Sequence, residues 1–175
     1  MKKLNTLYLL SLLLLLFTAC EEEDNSVEVN NDNLAGEWEM TSFIYGGRST
    51  QEAGGETYRS NFAGSARDIT FTVTFNADGT YTSSGSYTID VTYAFGGQEF
   101  DQSLTINDVL DSGIYTLNGD ELSITRDQGG ETSVATNVEL SNDALMFELQ
   151  QTQTSTGQGT SSTVIIDGDF QFRRK

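Results

Sequence analysis

Six carboxylates on or beside strand-like segments are the first residues whose type and placement could do chemistry: Asp90, Glu99, Asp101, Glu121, Glu139 and Glu148. Two acids roughly 5–10 Å apart across a cleft, one with a raised pKa, would make a glycosidase. No pattern singles out such a pair, and Glu139 and Glu148 fall on the parity opposite their apolar neighbours, as a solvated outer face requires. Loop oxygens pair as Asn76/Asp78, Asp108/Asp111 and Asp167/Asp169, a donor type that suits calcium. No stretch has EF-hand spacing, and Asx turns and hairpin roles account for each pair. The chain has no histidine and one cysteine. That removes Cys/His zinc centres, Ser-His-Asp and Cys-His nucleophiles and internal disulfides. No enzymatic activity, metal or cofactor is expected.

The aromatic residues point to binding instead. Phe71, Phe75, Tyr81, Tyr87, Tyr93 and Phe95 occupy strand faces expected to turn inward. In a small barrel such rings either fill the core or line a cavity for one small apolar ligand. Plain packing is the simpler outcome. The tyrosines favour a cavity, because a buried phenol wants a polar partner.

The elements that must position these rings are strands. Proline is absent, Thr, Ser and Gly abound, and no apolar pattern of helical period follows residue 17. The first strand covers residues 34–45, with Trp38 and Met40 on one face, and Gly46-Gly47 ends it. Residues 48–67 are rich in Gly, Ser and Glu and read as a long functional flap, with a weak helical signal over 56–62. Residues 68–76 alternate strictly, with Ile69, Phe71, Val73 and Phe75 against three threonines. After the turn Asn76-Ala77-Asp78-Gly79, alternation resumes from Tyr81 to Phe95. That run would be about 50 Å long at ~3.3 Å per residue, so Ser84-Gly85 is expected to bend it. Gly96-Gly97 and Asn118-Gly119-Asp120 mark further hairpins, and strands follow over 134–140, 145–151 and 163–174, the last interrupted at Asp167-Gly168. Residues 150–162 read as an exposed hairpin tip or as disorder. Eight to ten strands joined by short turns close most simply as an antiparallel up-and-down β-barrel, with a two-sheet β-sandwich as the alternative.

Charge and the N-terminus bear on location. The formal net charge is −17, which repels phosphate backbones, so nucleic acid is not an expected partner. Met1-Lys2-Lys3 precedes an apolar run over residues 7–17, too short for a stable membrane span of ~20 residues but suited to a signal peptide. Residues 1–19 are therefore expected to leave. Leu16-Phe17-Thr18-Ala19-Cys20 resembles a bacterial lipobox, with Phe17 where leucine is usual. The resemblance implies that Cys20 is lipid-modified and anchors the chain to a membrane. Glu21-Glu22-Glu23-Asp24 directly behind it resembles the surface-export signal of Bacteroidota lipoproteins and implies an outer-membrane position facing the exterior. Residues 20–33 would then be the lipidated, acidic tether.

Gly36-x-Trp38 on the first strand resembles the lipocalin-like barrels. The hairpins at 76–79 and 115–122 are similar to those of bacterial lipocalin-like lipoproteins, and together the resemblance covers about residues 34–174. It implies a single lipocalin-like barrel over residues 34–175, closed by Gly36, Trp38 and an arginine laid across the tryptophan. Arg174 shares the face parity of Phe170 and Phe172 and is chosen for that role over Arg173. The function expected is binding of a small apolar or amphiphilic ligand. The alternative is a non-catalytic accessory module of a cell-surface complex with a solid core. No particular protein partner is indicated.

Overall fold

The computed structural model describes residues 26–107, 111–130, 132–157 and 159–175, apart from the side chain of Phe95. One helical turn, α1 (Asn31–Leu34), precedes eleven strands. These are β1 (Gly36–Ala53), β2 (Glu56–Arg67), β3 (Thr72–Phe75), β4 (Thr80–Ser84), β5 (Tyr87–Phe95) and β6 (Gln98–Ile106), followed by β7 (Asp111–Asn118), β8 (Glu121–Arg126), β9 (Thr132–Leu140), β10 (Ala144–Gly157) and β11 (Thr160–Arg174). Every pairing is antiparallel.

Eight of these strands close a barrel in the order β1-β3-β4-β7-β8-β9-β10-β11, and β11 returns to β1 with Trp38 opposite Arg174. That closing ladder excludes the sandwich. Period-two alternation decides the faces. Trp38, Met40, Val73, Phe75, Tyr81, Tyr115, Leu122, Leu145 and Phe172 are buried inside, while Thr82, Thr116, Glu139, Glu148 and Arg173 are exposed outside. A barrel whose wall faces hydrocarbon has the reverse arrangement, apolar outside and polar within.

The other three strands form a second storey. β2 pairs with the far half of β1, β5 with β2, and β6 with β5. β2 runs on into β3 through Asp68, at a φ of 52°, and β4 into β5 through Gly85, at 115°. A Cβ on Gly85 would lie 2.3 Å from the Thr70 carbonyl oxygen. The bend therefore needs glycine both for its backbone and for its space. The chain is thus an eight-stranded meander in which six strands, β10-β11-β1-β2-β5-β6, continue about eight residues past the barrel, while β8 and β9 stop short.

Several sequence expectations are corrected here. Gly46-Gly47 does not end the first strand, which runs on to Ala53. Residues 48–67 are not a flap and hold no helix; they are the far half of β1, a two-glycine turn at Gly54-Gly55, and β2. Asp167-Gly168 does not interrupt β11. Of the two readings of residues 150–162, the exposed hairpin tip holds: residues 150–157 and 160–162 belong to strands β10 and β11, paired from Gln150↔Asp167 to Gly157↔Thr160. At the N-terminus, residues 26–34 lie against the end of the barrel. Ser26 bridges Ser141, Val27 N donates to Leu140 O at 2.9 Å, and Val27 and Val29 pack on the core.

Candidate functional site

The lower end of the barrel is solid. Leu34, Trp38, Leu122 and Leu145 are fully buried. Asn30 caps α1 by accepting from Asn33 N at 2.9 Å, which aims the Leu34 carbonyl at Trp38 Nε1, 2.8 Å away. Arg174 Cζ lies 4.2 Å from the Trp38 ring centroid, within cation–π range. Its guanidinium also donates to three backbone carbonyls: Asn142 at 2.9 Å, Ala35 at 2.8 Å and Asn33 at 2.7 Å. Gly36 has a φ of 141°, and a Cβ there would meet Arg174 Nη1 at 2.6 Å. Gly36, Trp38 and Arg174 thus form one plug that satisfies the polar ends of the strands around it.

Above this plug the interior opens into an apolar lumen of about 220 Å³. Met40, Phe71, Val73, Phe75, Phe147 and Phe172 form its floor and walls. Phe147 stacks on Phe172 at 5.5 Å and on Phe170 at 5.2 Å, and Phe170 stacks on Phe43 at 4.3 Å. Tyr81, Asp111, Arg126 and Ser133 also line it. Tyr81 donates to Asp111 Oδ2 at 3.1 Å, and Arg126 Nε pairs with the same oxygen at 3.1 Å. Burial, then the neighbouring Asp111, push the Tyr81 phenol up to about 12.

A second cavity of about 340 Å³ lies in the upper storey. Tyr87, Leu149 and Phe170 line both cavities, so the two lie on either side of these side chains. Tyr87 stands edge-on to Phe71 and Phe43 at 6.1 and 6.2 Å, and burial raises its phenol's pKa. Its hydroxyl makes no hydrogen bond among the described residues. Further out, Tyr45, Phe62 and Tyr93 continue the aromatic row at 6.3 and 6.2 Å spacing. Strand glycines seat these rings. A Cβ on Gly47 would meet the Phe62 ring at 2.4 Å, and one on Gly64 would meet the Tyr45 ring at 2.6 Å. Burial, with Tyr93 and Asp90 nearby, raises the pKa of the Tyr45 phenol.

Of the six aromatics proposed from sequence, Phe71, Phe75, Tyr81 and Tyr87 line the lumen, and Tyr87 and Tyr93 line the outer groove. The side chain of Phe95 lies outside the described part of the structure, as do Cys20, the acidic run behind it and Asp108. Sequence reasoning missed Phe43, Phe147, Phe170 and Phe172 as lining residues; alternation on β10 and β11 places the last three on the inner face, whereas Phe43 turns inward only because a bulge between Met40 and Ser42 shifts the register of β1. It also missed the groove, because the pairing of Gly47 with Phe62 is set by register across a hairpin and not by local pattern.

The six carboxylates face neither aromatic cavity. Asp90 is held below the usual carboxylate range by hydrogen bonds from Arg67 at 2.7 Å and from Ser103, the opposite of what a proton donor needs. The Asn76/Asp78 pair closes its own turn, with Asp78 accepting from the Thr80 amide and hydroxyl at 3.0 and 2.7 Å. Asp167 accepts from Gln150 at 2.7 Å. No group of three or more acidic, histidine or cysteine residues suited to a metal occurs among the described residues.

The fold and the cavity define a closed antiparallel eight-stranded β-barrel with an apolar interior open at one end. No family model matches the chain, and no curated protein matches it significantly. Among solved structures it is similar to Ail, the attachment invasion locus protein of Yersinia pestis, at 10% identity over 79% of this chain and 99% of that one, with a TM-score of 0.24. A superposition that weak carries no functional argument, and the architecture rests on the strand pairings.

Proposed function

We propose that this is a lipid-anchored protein of the outer membrane, attached through Cys20 and facing outward, whose barrel binds a small apolar or amphiphilic ligand. It has no enzymatic role. The observation that carries the binding reading is the open lumen. Its volume of about 220 Å³ far exceeds the roughly 10–15 Å³ that admits one water, and its wall is mostly aliphatic and aromatic. The groove beyond it gives an elongated molecule room to extend past Tyr87. A full-length chain titrated with 1-anilinonaphthalene-8-sulfonate should bind one equivalent, displaceable by long-chain alcohols. Ser133→Phe, which places a ring at the mouth, should weaken binding about tenfold or more, a loss of ~1.4 kcal/mol. Unchanged binding would sink the lumen as the site.

The anchoring rests on the sequence around Cys20. Cys20→Ala should release the protein from membranes, and continued attachment would refute lipidation there. Replacing Glu21, Glu22, Glu23 and Asp24 by alanine should remove protease accessibility on intact cells. The second reading, an accessory interaction module, is favoured by the exposed apolar side chains of the upper storey: Phe100 and Leu104 are 53% and 54% exposed.

A further inference from the structure

The upper storey is an eight-stranded barrel with two strands missing. In the lower storey β8 and β9 stand between β7 and β10. They end at Arg126 and begin at Thr132, so above that level no strand of the described residues fills their place. The ladder between β9 and β10 stops at Leu149↔Ala135, and β10 continues to Gly157 with, among the described residues, a partner on the β11 side only. β6 pairs with β5 and, among the described residues, with no strand on its other side. Two free edges result, each about eight residues or ~27 Å long. They face one another across one groove, because Gln102 and Leu104 of β6 and Leu149 and Gln151 of β10 line the same cavity.

Free edges of this length are normally blunted by charge, proline or bulges. The β10 edge carries none of these: no charged residue lies between Glu148 and Asp167, and its ladder with β11 is regular throughout. In a chain of net charge −17, that is the longest uncharged stretch of the sequence. The β6 edge does carry charge, Glu99 and Asp101, both on the face away from the groove. On the groove face, Tyr93, Phe100 and Leu104 are 38%, 53% and 54% exposed.

From this we infer that the upper storey accepts a two-stranded β-hairpin of a partner protein, which pairs with β10 on one side and β6 on the other. Two strands fill the gap left by β8 and β9, and an antiparallel hairpin keeps the sheet antiparallel all the way round. The charge pattern states the partner's chemistry. Its inner face is apolar, to cover Tyr93, Phe100 and Leu104. The strand beside β10 is neutral, and the strand beside β6 carries lysine or arginine opposite Glu99 and Asp101. A second copy of this chain is disfavoured by repulsion between two strongly acidic bodies. The inference goes beyond ligand binding in the lumen and does not depend on lipidation at Cys20.

The test uses the full chain and a synthetic disulfide-closed hairpin with an Asn-Gly turn and about eight residues per strand. Valine and phenylalanine alternate on one face, and threonine and lysine on the other. Native amide exchange should slow about tenfold or more at residues 150–157 and 98–106 together, at one peptide per chain. Slowing at one edge only, or at neither, overturns the two-strand fit. Slowing that rises with protein concentration in the absence of peptide shows a second copy seated there, and also overturns it. Gln151→Lys with Gln153→Lys puts charge on the groove face and should abolish protection at both edges, while the β1–β11 closing amides remain protected. Should that variant misfold, Asp101→Lys, on an exposed residue of β6, should weaken the lysine-bearing hairpin several-fold. Equal binding by either variant, or by a peptide with its faces exchanged, overturns the proposal.

Discussion

The two storeys of the barrel are built on the same strands and treat their polar groups and edges in opposite ways. In the lower one, edges are sealed and polar atoms are answered within the chain. Trp38 Nε1 meets the Leu34 carbonyl, the Tyr115 hydroxyl meets the Asn76 carbonyl at 2.6 Å, and Arg174 satisfies three carbonyls while covering the indole. In the upper one, rings rest on glycines and, among the described residues, the Tyr87 hydroxyl lines the cavity without a hydrogen bond and two edges have no partner. β1, β10 and β11 run through both storeys, so the open half is built on strands anchored in the closed half. Stability and recognition are thereby separated along the length of each strand.

The largest expected effect falls on the plug. Trp38→Ala removes a fully buried indole and leaves the Arg174 guanidinium over a void; it should cost about 3–5 kcal/mol. Tyr93→Ala removes a ring that is 38% exposed and should cost about 1 kcal/mol or less, in line with substitutions away from a packed core. Urea unfolding of the two variants measures the contrast. Similar losses would mean that the two storeys share one cooperative core.

A middle-sized effect sharpens the same division. A Cβ on Gly64 would meet both the Tyr45 ring and, at 2.3 Å, the Asp90 carbonyl oxygen. Gly64→Val should cost about 1–3 kcal/mol as overpacking, and the damage should stay local. Amides of β2 and β5 should exchange faster, with Trp38 emission unchanged. A shift in that emission would show strain passing down β1 into the plug.

The closed half was readable from sequence because its signals are local. Trp38, Met40, Val73 and Phe75 follow strict alternation, and Gly36-x-Trp38 with Arg174 is a matter of parity on the first and last strands. The upper half was not readable for one physical reason. Glycine pairs such as Gly46-Gly47 look like strand ends when their partners are unknown, and Gly47 and Gly64 lie in strand interiors because rings from the neighbouring strand fill the space above them. Phe62 and Tyr45 declare that role only once β1 and β2 are in register. Gly85 was legible, because a run from Tyr81 to Phe95 is too long to stay straight.

The smallest effect lies at the boundary between the storeys, where Tyr81 donates to Asp111 beside Arg126. An unfolded tyrosine ionises near 10, whereas burial first, and Asp111 second, push this phenol up to about 12. Between those values the unfolded chain gives up a proton that the native chain keeps. The contribution of Tyr81 is therefore present in full below pH 10, falls as pH rises to about 12, and levels off above it. Tyr81→Phe should flatten that part of the stability profile, measured by urea unfolding across the alkaline range. Asp111→Asn should lower the Tyr81 titration, followed by ultraviolet difference spectra, by less than exposing the ring would, because burial is the larger cause. An equal or greater drop would make Asp111 the main determinant and mark the rim, not the apolar wall, as what sets the character of the lumen.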